Sequence, residues 1–257
     1  MVKLEKKIRE ELNKSPIALM THLVMGYPSF NDNIKCIEAM AKSGVKFIEL
    51  QIPFSEPTAD GPKIAKASQI SIENGTTVKQ CHEFASQMVN LYPEVSFLFM
   101  NYANTIFRYG ITKFIKESAE IGVLGHIIPD LPIEESEEYI DASQNADLAT
   151  IFIYTPTTTS NRLIQNGEHS TGFVYCVGRA GVTGGKTDFN SGINELLLRY
   201  RSSTNLPIAL GFGITSKSDI DFLIGKSDIA IIGTKLLEVY DAEGAQSVTE
   251  FLSSLIL

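Results

Sequence analysis

The chain has 257 residues, 44% of them hydrophobic and 20% charged, with 22 Lys+Arg against 30 Asp+Glu for a net charge of −8, a mean hydropathy of +0.04 and a pI near 5.1. That balance, with no basic run longer than Glu5-Lys6-Lys7-Ile8-Arg9, argues against nucleic acid or an anionic membrane as the main partner. No apolar stretch approaches the ~18 residues of a transmembrane helix, MVKLEKKIREELNK lacks a signal-peptide core, and Cys36, Cys81 and Cys176 stand too far apart for a disulfide framework or metal cluster, so a cytoplasmic protein is expected.

In chain order, the first predicted element is a helix whose Leu4, Ile8 and Leu12 form an apolar stripe suited to plugging the bottom of a barrel. Strands are predicted near Ala18 (ALMTHLV), Lys46 (KFIELQI), Ser96 (SFLFM), Val123 (VLGHII), Ala149 (ATIFIY), Gly172 (GFVYCV), Pro207 (PIALG) and Asp228 (DIAIIG). Most are continuously apolar, as strands buried on both faces should be, and each is followed by an amphipathic helical stretch. This alternation, with no Pro/Gly/Ser linker to divide it, predicts one α/β domain over residues 1–257: a single (β/α)8 barrel of the TIM type with an N-terminal capping helix. The longest intervals follow the second and sixth strands. Those two βα loops are therefore extended, and they lie on the face where barrels build active sites.

Glu49 sits inside the second strand, sharing a face with Phe47 and Gln51, and it points either into the barrel or into the helix layer. An apolar setting raises a carboxyl pKa, which suits a general acid/base. Eleven residues on, Asp60 lies in the proline-constrained segment Pro53 to Pro62. It could reach across the same cavity as a second carboxylate, or Asp60-Gly61-Pro62 could simply open the next helix.

The sixth strand leads into Cys176 to Thr187, whose glycines suit either a lid or a plain flexible loop. The seventh and eighth strands end in Leu210-Gly211-Phe212-Gly213-Ile214-Thr215 and Ile232-Gly233-Thr234. Two glycine turns after successive final strands, each before a helix, describe a phosphate site made of backbone N–H groups. His22, His82, His126 and His169 have no metal-ligand spacing, no lysine ends a strand where a Schiff base would form, and Asp130 reads as ordering the turn after the fourth strand.

Together, FIELQIPFSEPTADGP from Phe47, NYAN from Asn101, PDLP from Pro129, RAGVTG from Arg179 and GFGI from Gly211 resemble the tryptophan synthase α subunits, in order and over nearly the whole chain. The resemblance implies cofactor-free retro-aldol cleavage of indole-3-glycerol phosphate to indole and glyceraldehyde 3-phosphate. It also implies pairing with a β subunit in an α2β2 tetramer. By motif, Glu49 would be the acid/base at indole C3 and the glycerol hydroxyl, and Asp60 would accept the indole N–H. Thr183 would close over Asp60. Gly184, Gly213, Gly233 and Thr234 would hold the phosphate. Met100, Tyr102, Ile127, Ile153, Tyr175 and Phe212 would line the indole pocket.

The common form of the second loop in that family is ELGxPFSDPxADGP. Here Gln51 replaces Gly, Glu56 replaces Asp and Thr58 replaces an aliphatic residue, while Ala180 and Thr234 stand where Ser is common. Glu56 lies in the segment the family uses to meet its partner. The same residues would also serve a stand-alone indole-3-glycerol phosphate lyase, or an α-like chain kept mainly to activate a β subunit.

Overall fold

The computed structural model describes residues 1–178, 191–211 and 213–255. Nine parallel strands run through them: β1 (Ala18–Val24), β2 (Phe47–Gln51), β3 (Ser96–Met100), β4 (Gly125–Ile127), β5 (Ala149–Ile151), β6 (Ile153–Tyr154), β7 (Val174–Val177), β8 (Ile208–Gly211) and β9 (Ile229–Ile232). Their order is β5-β4-β3-β2-β1-β9-β8-β7-β6. The two ends of this ladder are consecutive in the chain, separated by Phe152 alone, so the sheet meets itself and forms a barrel.

β5 and β6 are thus the expected fifth strand in two pieces. One half pairs with β4, Gly125 opposite Ala149, and the other with β7, Ile153 opposite Tyr175. At the joint, the Phe152 N–H is donated to Ser170 Oγ at 3.3 Å and its carbonyl accepts the Tyr175 N–H at 3.1 Å. The ladder changes partner there without leaving a buried backbone group unmet.

Alternation along β2 decides the orientation of Glu49. Phe47 packs inside the barrel with Met20, Leu98, Ile151 and Ile231, whereas Ile48, Leu50 and Ile52 pack outward with Ile37, Met40, Phe84 and Met88. Glu49 shares the inward face. The helix Lys3–Leu12 closes the bottom: Leu4 and Ile8 are fully buried against Ala18, Phe47, Ala149 and Phe173. Only the C-terminal ends of the strands are left for a cavity.

The long second connection contains a loop and two helices, Pro62–Glu73 and Val78–Leu91. The first starts with Gly61 as N-cap and Pro62 in the first turn, and no side chain caps it. Asp60 is therefore not the cap, and its carboxylate serves elsewhere. The connection after β3 also holds two helices, Ala103–Tyr109 and Ile111–Glu120, divided at Gly110, which its ordinary length did not lead one to expect. The sixth loop falls mostly at residues 179–190, outside the described residues. β1 pairs with β9, and the last helix, Ala245–Leu255, packs on Phe30–Lys42 to complete the outer ring. Among the described residues no helix is long and apolar enough to cross a membrane.

Candidate active site

A cavity of about 430 Å³ opens at the C-terminal ends of the strands. Glu49, Asp60, Met100, Ile127, Ile153, Tyr175, Gly213, Gly233 and Thr234 line it, so residues far apart in sequence converge on one space. Thr183, Gly184 and Phe212 lie outside the described residues. Tyr102 stands behind the wall instead: it is buried, stacks on Phe54 at 5.0 Å between centroids, and reaches the site through its hydroxyl.

Glu49 is 2% exposed, and its Oε1 is buried with no hydrogen-bond partner. Burial, reinforced by the charge of Asp60, pushes its carboxyl up to about 8. At neutral pH it carries a proton that it can give away. Asp60 is also raised by burial, but His22, Gln51 and Tyr102 act in the opposite direction. Asp60 Oδ2 accepts hydrogen bonds from Gln51 Nε2 at 2.7 Å and Tyr102 Oη at 2.9 Å. The two carboxyls have different surroundings, one starved of partners and the other well supplied, and this pushes their proton affinities apart and separates an acid from an anion. Tyr102 Oη also accepts the Ala59 N–H at 3.1 Å, which ties the loop after β2 to the end of β3.

Opposite the carboxyls the wall is backbone. Gly211 lets the Tyr175 ring lie flat against the chain: a Cβ there would stand 2.5 Å from Tyr175 Oη. Burial first, then the charges of Glu49 and Asp60, hold the Tyr175 hydroxyl well above its ordinary pKa, so it stays protonated. Gly213 has φ +63°, a left-handed conformation that glycine adopts without strain. Gly233 precedes the helix Thr234–Glu243, and Gly233, Thr234 and Lys235 line the cavity, so the positive end of the helix dipole lies at its wall.

Among the polar lining residues, the sequence reading did not assign His22, Thr155, Thr157 and Lys235 to the site. His22 hydrogen-bonds through Nε2 to Gln51 Oε1 at 2.6 Å, and Lys235 brings a cation to the helix end beside Thr234, its Nζ 3.8 Å from Glu238. Thr155 lies in a turn tied together by Arg199, which donates to the carbonyls of Pro156 and Thr158 at 3.0 Å each. The spacing of Lys235 from Gly233 was the one available signal. The Oδ1 of Asp130 accepts the Ala103 N–H at 2.8 Å, anchoring the helix after β3. Among the described residues no group of three His, Cys, Asp or Glu could hold a metal ion.

The tryptophan synthase alpha chain family model matches residues 8–254. The chain belongs to the tryptophan synthase alpha chain family. It is 44% identical over 252 residues to the tryptophan synthase alpha chain of Syntrophotalea carbinolica, covering 98% of this chain and 99% of that one. To the alpha chain of Desulfotalea psychrophila it is 46% identical, with the same coverage. Its fold is similar to a chain of Mycobacterium tuberculosis tryptophan synthase, with a TM-score of 0.92 at 28% identity, covering 99% of this chain and 96% of that one. Alpha chains of this family are lyases that cleave indole-3-glycerol phosphate in tryptophan biosynthesis, and the cavity brings two carboxyls and the start of a helix into one space.

Proposed function

We propose that Glu49 and Asp60 carry out the cleavage of indole-3-glycerol phosphate to indole and glyceraldehyde 3-phosphate in this chain. Protonated Glu49 donates to indole C3. As positive charge develops on the ring nitrogen, Asp60 accepts the N–H hydrogen bond and stabilises the indolenine. The C3 to side-chain bond then breaks, its electrons return to the ring, and Glu49 takes the proton of the adjacent hydroxyl as that carbon becomes the aldehyde. Glu49 ends protonated, ready for the next turnover.

Met100, Ile127, Ile153 and Tyr175 supply the apolar walls for the indole, with Phe212 as a further wall. Tyr102 acts through Asp60. Gly213, Gly233 and the helix opening at Thr234 bind the phosphate through backbone N–H groups, with Gly184 and Thr183 completing the site from the sixth loop. The chain works in the cytoplasm, where its three buried free cysteines stay reduced. It acts as one domain, and a β subunit docks on the catalytic face in a tetramer of two α and two β chains.

The observation that carries this reading is the buried, unpartnered Oε1 of Glu49 facing the same cavity as Asp60. Indole release by the purified chain is the test, with and without a β chain. Glu49→Gln and Asp60→Asn should each lower turnover by roughly 10²–10⁴-fold while the protein still melts cooperatively. The rate should also rise as β chain is titrated in. A Glu49→Gln variant as fast as the parent would remove the assignment.

A further inference from the structure

Among the described residues, Gln51 is the side chain that hydrogen-bonds to both His22 and Asp60. Its Nε2 donates to Asp60 Oδ2 at 2.7 Å, and its Oε1 stands 2.6 Å from His22 Nε2. An amide has one acceptor and one donor end, so these two contacts fix each other. While Asp60 is an anion it can only accept, so the amide nitrogen must face it. The amide oxygen then faces His22, which must carry its proton on Nε2. Burial lowers the affinity of His22 for a second proton, so the ring is a neutral Nε2–H donor, and its Nδ1 faces Gly233, where a Cβ would stand 3.8 Å from it. If the amide flips, its oxygen meets Asp60 and an ionised carboxylate there is repelled.

β1 and β2 pair with His22 opposite Glu49 and Val24 opposite Gln51, and this register sets both side chains on the inward face, one step apart along the barrel. A glycine at position 51, as in the loop form ELGxPFSDPxADGP, has no amide to do this.

We propose that His22 and Gln51 are positioning residues for the lyase reaction: His22 locks the Gln51 amide so that its N–H side holds Asp60 as an oriented anion toward the indole N–H. The proposal rests on the role of Asp60 given above. His22 acts only through Gln51, and Gln51 only through Asp60. The other titratable groups facing Asp60 are Glu49 from β2, Tyr102 from the end of β3 and Tyr175 from β7. Among the described residues none of them hydrogen-bonds to the Gln51 amide, whose partners are His22 and Asp60, and none is altered by the variants below.

The experiment measures kcat and KM for indole-3-glycerol phosphate from acid to alkaline pH, with the β chain present. The variants are Gln51→Met, His22→Phe, their combination, and His22→Gln, whose amide nitrogen can stand where Nε2 does. Gln51→Met, which keeps the volume but not the hydrogen bonds, should lower kcat about tenfold, as expected for losing one bond to a charged group, with KM within about twofold. The acid limb of kcat should move to higher pH, because Asp60 has lost a donor that favours its anion. His22→Phe should lower kcat severalfold, and the double variant should be no worse than Gln51→Met alone. His22→Gln should recover most of the parent rate.

Multiplying effects in the double variant, or losses confined to KM with an unmoved acid limb, would overturn the relay and leave the pair as packing. Asp60→Asn is run beside them. If Asp60→Asn is slow while Gln51→Met and His22→Phe match the parent, the relay fails and the role of Asp60 stands. If Asp60→Asn is itself fast, both fail. Should Gln51→Met not melt cooperatively, His22→Phe with His22→Gln still decides through the acid limb and its rescue.

Discussion

The two ends of the cavity use different materials. At the β2 end the proposed chemistry rests on side chains that cost stability to bury: Glu49, whose Oε1 has no partner, and Asp60, held by Gln51 and Tyr102. At the β8 and β9 end the proposed phosphate site is built from Gly213, Gly233 and a helix terminus, backbone groups every chain possesses. Activity should therefore be lost in opposite ways. The carboxyl end fails when an atom changes identity at constant shape, and the glycine end fails when an atom is added.

The largest expected effect sharpens that contrast through stability. The pKa of Glu49 is raised above its unfolded value of 4.5 to about 8, so between these values the folded state holds a proton that the unfolded state releases. Stability is then lost as pH rises through this window, the reverse of a salt-bridged carboxylate. Glu49→Gln removes the penalty. At roughly 1.4 kcal/mol per unit of displacement, the variant should gain on the order of 3 kcal/mol over the parent between pH 5 and pH 8.5, while losing turnover. Denaturant unfolding at the two pH values checks it, and a gain that does not grow with pH would break the account of Glu49.

At the other end, Gly213→Val forces a β-branched residue into φ +63°. Strain of about 1–3 kcal/mol in the loop proposed to hold the phosphate should raise KM for the phosphorylated substrate about ten- to a hundredfold, with kcat little changed. Glyceraldehyde 3-phosphate binding that matches the parent would place the phosphate elsewhere. The smallest effect is expected at Lys235, a partly exposed cation beside the helix end whose charge Glu238 shares. Lys235→Met should raise KM only about threefold, and less at high salt, because exposed charges are screened. Steady-state kinetics at two ionic strengths read it out.

Much of this was visible in the sequence because apolar strands and turn glycines are local signals. The eight βα units, the plug formed by Leu4 and Ile8, and the convergence of Glu49 with Gly213 and Gly233 all follow from runs a few residues long. What escaped depends on register and on hydrogen bonds between distant residues. The run Ala149 to Tyr154 reads as one strand, and only the Ser170 hydroxyl, which takes the Phe152 N–H, reveals the break. Period-two alternation allows Glu49 two directions, and only the packing of Phe47 chooses between them. His22 looks like a lone histidine until β1 and β2 are aligned and Gln51 stands one step away. Asp60 looks like a helix cap until Gly61 is seen in that role.

The pairing of β1 with β9 sets a timetable for the growing chain. Ala18 meets Ile229 across the seam, so the edge of β1 has no neighbour on that side until almost the whole chain has been made. At about 5–20 residues per second on the ribosome, that edge waits on the order of ten to forty seconds. Throughout that interval an apolar strand with unpaired N–H and C=O groups is open to other nascent chains. The barrel cannot close strand by strand as it emerges. Closure waits for β9, and until then ALMTHLV presents an open edge.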